Sequence, residues 1–488
     1  MSSTPRRSLG PEADPTVAGA CQTAPVQTSQ EQVESLLARV ADLDQLTNAV
    51  SDVDPRALPQ ARERDAETRD GRVRGPLHGR PVLVKDNIDT AGLATTAGSL
   101  ALAGNPPPTD AELVSRLREA GMVVLGKTNL SEWANIRDTH STSGWSAYGG
   151  LTRNPYALNR SACGSSSGSG AAVAARLAPF AVGTETDGSI TMPAAFNGCV
   201  GIKPTVGTVS TRGVVPISPS QDSPGSIALT VEDAAALLTA MAGTGIDYAS
   251  HANPGRLAGR RIGVPRRSWG YSPAADGATE HALSLLAAAG AEIVDGTEIT
   301  ALESYDGESE LTVLLTELGP ALADYLATRP GAPQSLTEVV EFNRARAEEE
   351  LRWFGQDLFE MALGLPGLDS QEYAAARAAC LTASRDGIDQ VLREHRLDAL
   401  LAPAAAPAIP IDLVNEEHHW GGCTETSAMA GYPIITVPTT LDHGLPVALC
   451  LWGTAGSEPT LIEVAAGYEA ARDVDTGPLP APTFPTFV

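Results

Sequence analysis

The chain has 488 residues, 42% of them apolar and only 5% aromatic, which supplies the aliphatic core of an ordinary soluble globular protein. Its formal net charge of −25 repels phosphate backbones and argues against nucleic acid as a partner. The six cysteines are scattered without a C-x-x-C pair, and no window approaches the about 18 consecutive apolar residues of a membrane span, so a disulfide framework, a zinc site and a membrane location are set aside.

Residues 1–28 are polar and hold several prolines, and they read as a disordered tail. Arg6-Arg7 hints at a twin-arginine signal and Ala18-Gly19-Ala20-Cys21 at a lipoprotein cleavage site. The apolar run that either needs is missing, so the expected location is cytoplasmic. Residues 29–488 are expected to form one domain. In 29–70, Val33, Leu36, Leu37, Val40, Leu43 and Leu46 recur at helical spacing behind Ser29 as cap. Asp54-Pro55 ends that helix, and a second, charged helix is expected from Pro55 to about Thr68. Val82-Leu83-Val84-Lys85 is a short buried strand. The amphipathic stretch Ala111 to Ala120 stops at Gly121 and leads into the strand Met122 to Gly126.

Further along, Gly170 to Leu177 reads as a small-residue helix and Phe180 to Gly183 as a strand, with Ser189 falling just before a new helix near Pro193. Alternation continues through the strand Arg261 to Val264, the helix Thr279 to Ala289 and the strand Glu292 to Val294. Residues 300–392, almost wholly helical in propensity from Ser309, are expected to cross one face as a layer or lid. Asp398 to Pro403 and Ile434 to Pro438 are late strands. This alternation predicts an α/β fold: a single large domain with a mixed, twisted central sheet flanked by helices on both faces, its catalytic core over 75–210.

The chemistry concentrates in three short stretches. The chain has only three lysines, and Lys85 ends an apolar strand, where desolvation can turn an ammonium into a neutral base; arginine could not serve in that way. Ser165 lies in the glycine-rich run Gly164-Ser165-Ser166-Ser167-Gly168-Ser169, and Ser189 in Gly183-Thr184-Glu185-Thr186-Asp187-Gly188-Ser189-Ile190. A P-loop is excluded because no Gly-Lys-Ser/Thr follows Gly168. His443 could complete a Ser-His-Asp triad, but neither serine sits in a G-x-S-x-G elbow, and lysine is the more economical base. Lys127 and Lys203 are expected to bind carbonyls at loop ends, and Cys163 to pack. His418-His419 beside Glu416 and Glu417 reads as a solvated loop rather than a metal site.

Together, Val84-Lys85-Asp86-Asn87-Ile88, the Gly164–Ser169 run and Gly183–Ile190 resemble the three motifs of the amidase signature family. Gly126-Lys127-Thr128-Asn129-Leu130-Ser131-Glu132-Trp133, Gly201-Ile202-Lys203-Pro204-Thr205 and the 398–403 strand extend the likeness over roughly residues 30–480. The resemblance implies an amidase with a Ser-cisSer-Lys triad: Ser189 as nucleophile, Ser165 as bridge after a cis bond to Gly164, and Lys85 as base. It implies an oxyanion hole from the backbone N–H groups of Thr186, Asp187, Gly188 and Ser189, an acyl-enzyme, and no metal or organic cofactor.

Many family members carry Thr-Asp-x-Gly-Gly-Ser-Ile-Arg around the nucleophile; here Asp187 replaces one of the two glycines and Thr191 the arginine. These departures, the stretch Gly207 to Ile217, the turn Ser218-Pro219-Ser220-Gln221-Asp222 and the run Arg352-Trp353-Phe354-Gly355-Gln356 resemble the peptide amidase branch, which removes ammonia from C-terminal carboxamides of peptides. The expected substrate is therefore a peptide amide. Small aliphatic or aromatic amides are the alternative, and an amidotransferase component working with partner subunits is a remote one. Specificity is expected to reside in 300–390 and 412–425; the oligomeric state is left open.

Overall fold

Alternate residues of one short strand divide the interior in two. Along Pro81–Lys85, Val82 and Val84 enter one apolar cluster and Leu83 enters another, with all five residues buried. Burial on both faces marks a central strand, and period-two alternation puts Lys85 on the side of Leu83. This computed structural model describes residues 27–487 other than 105, 416, 419 and 420. Most of the expected tail therefore lies outside the described residues, with Arg6-Arg7 and Cys21, as do Glu416 and His419 of the histidine pair's loop.

The described strands of the main sheet are β1 (Val50–Val53), β2 (Pro81–Lys85), β3 (Val123–Thr128), β4 (Phe180–Glu185), β5 (Val200–Lys203), β6 (Ser223–Ala228), β7 (Arg261–Val264), β8 (Glu292–Asp295), β9 (Ala399–Pro403), β10 (Ile434–Asp442) and β11 (Leu445–Trp452). They lie in the order β1-β3-β2-β4-β6-β5-β10-β11-β9-β7-β8. The sheet is mixed: β3, β2 and β4 run parallel, as do β9, β7 and β8, whereas β6, β5, β10 and β11 form antiparallel pairs between those blocks. The expected single α/β domain is what the chain forms.

Helices cover both faces. The helices Ser167–Ala174 and Thr191–Phe196 are buried throughout and share the Leu83 side with the first helix, Ser29–Thr47. Val231–Met241, Pro273–Ala288 and Glu458–Asp475 pack on the Val82 side. Each fully buried Val or Leu contributes about 1.5–3 kcal/mol, so the two-sided sheet dominates stability. A third cluster joins Leu315, Leu318 and Leu322 of the helix Ser309–Leu326 to Trp133 and Ile136, laying the helical region over a loop beside the sheet.

Several local expectations shift. The first helix is capped by Thr28 rather than Ser29: Thr28 accepts from Glu31 N–H while the Glu31 carboxylate accepts from Thr28 N–H, a reciprocal capping box. That helix ends at Thr47 rather than at Asp54-Pro55, and β1 follows it along the edge of β3. The small-residue helix starts at Ser167 and stops at Ala174.

Candidate active site

Lys85 reaches the carboxyl end of β2 with no exposed surface. Its Nζ lies 2.7 Å from Ser165 Oγ, 2.9 Å from Thr184 Oγ1 and 3.2 Å from the Thr184 carbonyl. Asn87 Nδ2 donates to the same Thr184 hydroxyl at 3.0 Å, which fixes the end of β4 against the end of β2. Burial drives the Lys85 ammonium well below its ordinary pKa, against the opposing pull of Glu185 and Asp222.

Ser165 follows a cis peptide bond from Gly164 and is fully buried. Its carbonyl accepts from Ser131 N–H at 3.1 Å, and the next residue, Ser166, donates its N–H to the Ser189 carbonyl at 3.1 Å. A side chain at 164 has no room: a Cβ there would sit 2.2 Å from Ser131 Oγ and 2.9 Å from Asn135 Nδ2. The three motifs distant in sequence thus meet at one point. Among the described residues no hydrogen bond joins the Ser165 and Ser189 hydroxyls.

Ser189 ends the loop that leaves β4. Glu185, the last residue of β4, turns its carboxylate into that loop, where Oε2 accepts from Ile190 N–H at 2.7 Å, Thr191 N–H at 2.9 Å and Thr191 Oγ1 at 3.0 Å. Thr186 Oγ1 donates to Asp222 Oδ1 at 2.6 Å, and Asp222 Oδ2 accepts from Ile217 and Ser218 N–H. Gly188 takes φ +73°, a left-handed conformation that glycine adopts without strain, and a Cβ there would press on Met192 and Thr424. Among the described residues, none accepts a hydrogen bond from the N–H groups of Asp187, Gly188 or Ser189. Three donors in sequence are left to a ligand.

These groups open onto a pocket of about 470 Å³, a size suited to more than a few-atom amide. Its walls come from Thr186–Ser189 and from three segments that motif reading did not single out: Ala134–Ile136, Glu310 with Leu314, and Gly421–Glu425. The last two fall in the stretches expected to hold specificity. Asp187, exposed to the pocket yet closely surrounded by protein, is raised to about 7 by burial, with Glu185 and Glu425 adding to the shift. Burial also raises Glu310, helped by Asp187, and raises Glu425. Three carboxylates thus line the pocket that holds Ser189.

The other flagged residues lie elsewhere. Lys127 donates to the Ile88 carbonyl and, at 3.1 Å, to Thr95 Oγ1, while Lys203 donates to the Tyr432 carbonyl. Both are buried struts between loop ends. His443 sits exposed in the turn between β10 and β11, 3.0 Å from Asp442, and is not part of the pocket. Cys163 is buried, with burial pushing its thiol far up in pKa.

Comparison with known proteins identifies the family. The family model for amidases matches residues 31–462. The native peptide amidase from Stenotrophomonas maltophilia superposes with a TM-score of 0.88 at 46% identity, covering 94% of this chain and 96% of its own. A probable amidase of Arabidopsis thaliana is 37% identical over 91% of this chain and 87% of its own length. A glutamyl-tRNA(Gln) amidotransferase subunit from Symbiobacterium thermophilum is 35% identical over 90% and 92%, respectively. With a family match over most of its length and relatives spanning nearly all of it, the chain belongs to the amidase family and is an amide hydrolase.

Proposed function

We propose that the protein removes ammonia from the C-terminal carboxamide of peptides through a Ser189–Ser165–Lys85 triad. The observation that carries this reading is the 2.7 Å contact between Lys85 Nζ and Ser165 Oγ at the edge of a pocket holding Ser189 and three N–H groups without a protein acceptor. The 46% identity to a peptide amidase supports the substrate class, as does a pocket larger than acetamide needs.

A neutral Lys85 amine has two N–H bonds to give and one lone pair. The Thr184 carbonyl and hydroxyl take the two N–H bonds, which turns the lone pair toward the Ser165 hydroxyl. Ser189 Oγ attacks the carboxamide carbon as its proton passes to Ser165, whose own proton passes to Lys85. The oxyanion is held by the N–H groups of Thr186, Asp187, Gly188 and Ser189, a service that costs about 10²–10³ in rate when one donor is lost. Collapse breaks the C–N bond; the proton returns through Ser165 to the nitrogen and ammonia leaves. Water then attacks the acyl-Ser189 ester by the same relay, releasing the peptide acid.

The test is ammonia release from an N-acetyl dipeptide amide, set beside acetamide, benzamide and a peptide whose only carboxamide is an internal asparagine. Release from the dipeptide amide, absent from the asparagine peptide and abolished in Ser189→Ala, is the expected result. Preference for the small amides would overturn the substrate class while leaving the triad standing.

A further inference from the structure

Outside the pocket that holds Ser189, three side chains with metal-ligating atoms converge: Asp138, His140 and Asp357. Asp357 lies 219 residues beyond Asp138, so no local spacing in the sequence announces the set. Each residue offers one ligand atom, and the two carboxylate oxygens and the imidazole nitrogen lie within 4.8 Å of one another. His140 Nδ1 is 3.5 Å from Asp138 Oδ1. Two ligands held tetrahedrally at about 2.0–2.2 Å from one cation stand about 3.3–3.6 Å apart, so this pair already has the spacing of neighbouring ligands. Asp357 begins the helix Asp357–Gly364 on the surface, where a shift of about an ångström brings its carboxylate to the same distance.

The donors around the carboxylates hold them in place before an ion arrives. Asp138, only 5% exposed, accepts from His140 N–H at 2.8 Å through Oδ1 and from Asp357 N–H at 3.2 Å through Oδ2. Thr139 gives its N–H to Asp357 Oδ1 at 2.8 Å and its hydroxyl proton to Oδ2 at 2.6 Å. Among the described residues each of these four oxygens accepts one hydrogen bond, and a carboxylate oxygen has two lone pairs, so each keeps one for a cation. Such outer partners orient ligands at metal sites. Partial burial pushes the Asp357 carboxyl up, but the two Thr139 donors outweigh it and hold the group below the usual range. Thr139 Oγ1, its proton given to Asp357, also faces His140 Nδ1 at 3.0 Å and supplies a further oxygen once the imidazole carries its proton on Nε2.

An entry path exists as well. Asp138 and His140 open onto a cleft of about 370 Å³ walled by Trp353, Gly355 and Asn415. A Cβ at position 355 would stand 2.9 Å from Asp138 Oδ2, so the glycine leaves that carboxylate approachable. We propose that Asp138, His140 and Asp357 form a site for a divalent cation of the zinc type, with water completing its shell. An imidazole among oxygen donors suits zinc and its first-row neighbours, whereas calcium and magnesium take oxygen shells. The ion ties the 133–143 segment, which contributes Ala134–Ile136 and Ser143 to the pocket wall, to the helical layer that begins at Ser309. The site is independent of the triad reading.

The experiment titrates the untagged full chain, stripped with a chelator and moved to chelator-free buffer, with ZnCl2 and separately with CaCl2, by calorimetry. The same titrations are run on His140→Ala and Asp357→Asn. The expected result is saturable Zn2+ binding that Ca2+ does not reproduce, weakened at least about tenfold in each variant, since even an outer partner of a metal ligand is worth that much. Zn2+ should also raise the Tm of the wild-type chain, because it binds the folded state, and should raise it less in His140→Ala. The His140 side chain is 63% exposed, so its removal leaves the core intact, and this variant carries the test alone should Asp357→Asn fail to fold. No saturable Zn2+ binding, or binding of equal strength in His140→Ala, would overturn the inference and leave His140 as a partner of the carboxylates without an ion.

Discussion

Thr191 gives both its N–H and its hydroxyl to one carboxylate oxygen of Glu185, at 2.9 and 3.0 Å. The loop between them carries the nucleophile, so this pair closes the turn around Ser189 from beneath. Where many family members have an arginine, this chain uses a short hydroxyl side chain that finds a buried carboxylate six positions back. The carboxylate also takes the N–H of Ile190.

Removing Glu185 should therefore free the loop as a whole. Glu185→Ala is expected to lower kcat by about 10²-fold or more, comparable to losing an oxyanion donor, with a smaller change in KM. Thr191→Val removes one of three bonds and is expected to cost less than about tenfold. Steady-state kinetics on a peptide amide checks both; a Glu185→Ala enzyme as fast as wild type would show that the loop holds its shape without the carboxylate.

Lys85, as the proposed base, sets the acid side of the pH profile. Its folded-state pKa is depressed by burial, and the base is the neutral amine. Activity is present above that pKa and is lost as pH falls through it. Lys85→Arg keeps a cation that does not titrate and is expected to abolish activity at every pH, about as completely as Lys85→Ala. A Lys85→Arg enzyme retaining more than a few per cent of kcat would argue that position 85 orients Ser165 rather than taking its proton.

The proposed triad is legible in the sequence through the likeness of three short motifs to those of the amidase signature family. Lys85 interrupts an otherwise aliphatic run, and Ser165 and Ser189 sit in small-residue loops with fixed spacing. What stays hidden depends on contacts from far along the chain. β1 reads Val-Ser-Asp-Val and is partly exposed, so it has no strand signature of its own; pairing with β3 makes it a strand. β6 opens Ser-Pro-Gly, which reads as a turn, yet β4 and β5 on either side impose a ladder on it. Asn135, Glu310 and Glu425 likewise carry no local mark. They become pocket walls only when a loop, a helix and a late segment converge.

Asp187 ties stability to pH. Its pKa rises from 3.8 to about 7, so between those values the folded state binds a proton that the unfolded chain has lost. Its contribution to stability is present below about pH 4 and is lost progressively as pH rises to about 7. Asp187→Asn should remove that loss, raising Tm at pH 8 more than at pH 5. A Tm change equal at both values would contradict the assignment.

The acidic wall should also be felt by the substrate. Asp187, Glu310 and Glu425 share one pocket with the nucleophile, and each ionises later than a free carboxylate. Asp187, raised to about 7, therefore gains its charge as pH rises through neutrality, and with it grows the attraction for a cation in the bound peptide. At separations of several ångströms and effective dielectric constants between those of water and a protein surface, one such pair is worth about 0.5–2 kcal/mol. An N-acetyl lysine amide should then be favoured in kcat/KM over the glutamate amide by about tenfold, more at pH 8 than at pH 6, and less in strong salt, since ions screen a pocket open to solvent. Glu310→Gln with Glu425→Gln should reduce the preference while sparing kcat, because among the described residues neither side chain hydrogen-bonds to Lys85, Ser165 or Ser189. A preference for the glutamate amide, or one indifferent to both salt and pH, would mean that the carboxylates stay protonated throughout and that the pocket reads shape rather than charge.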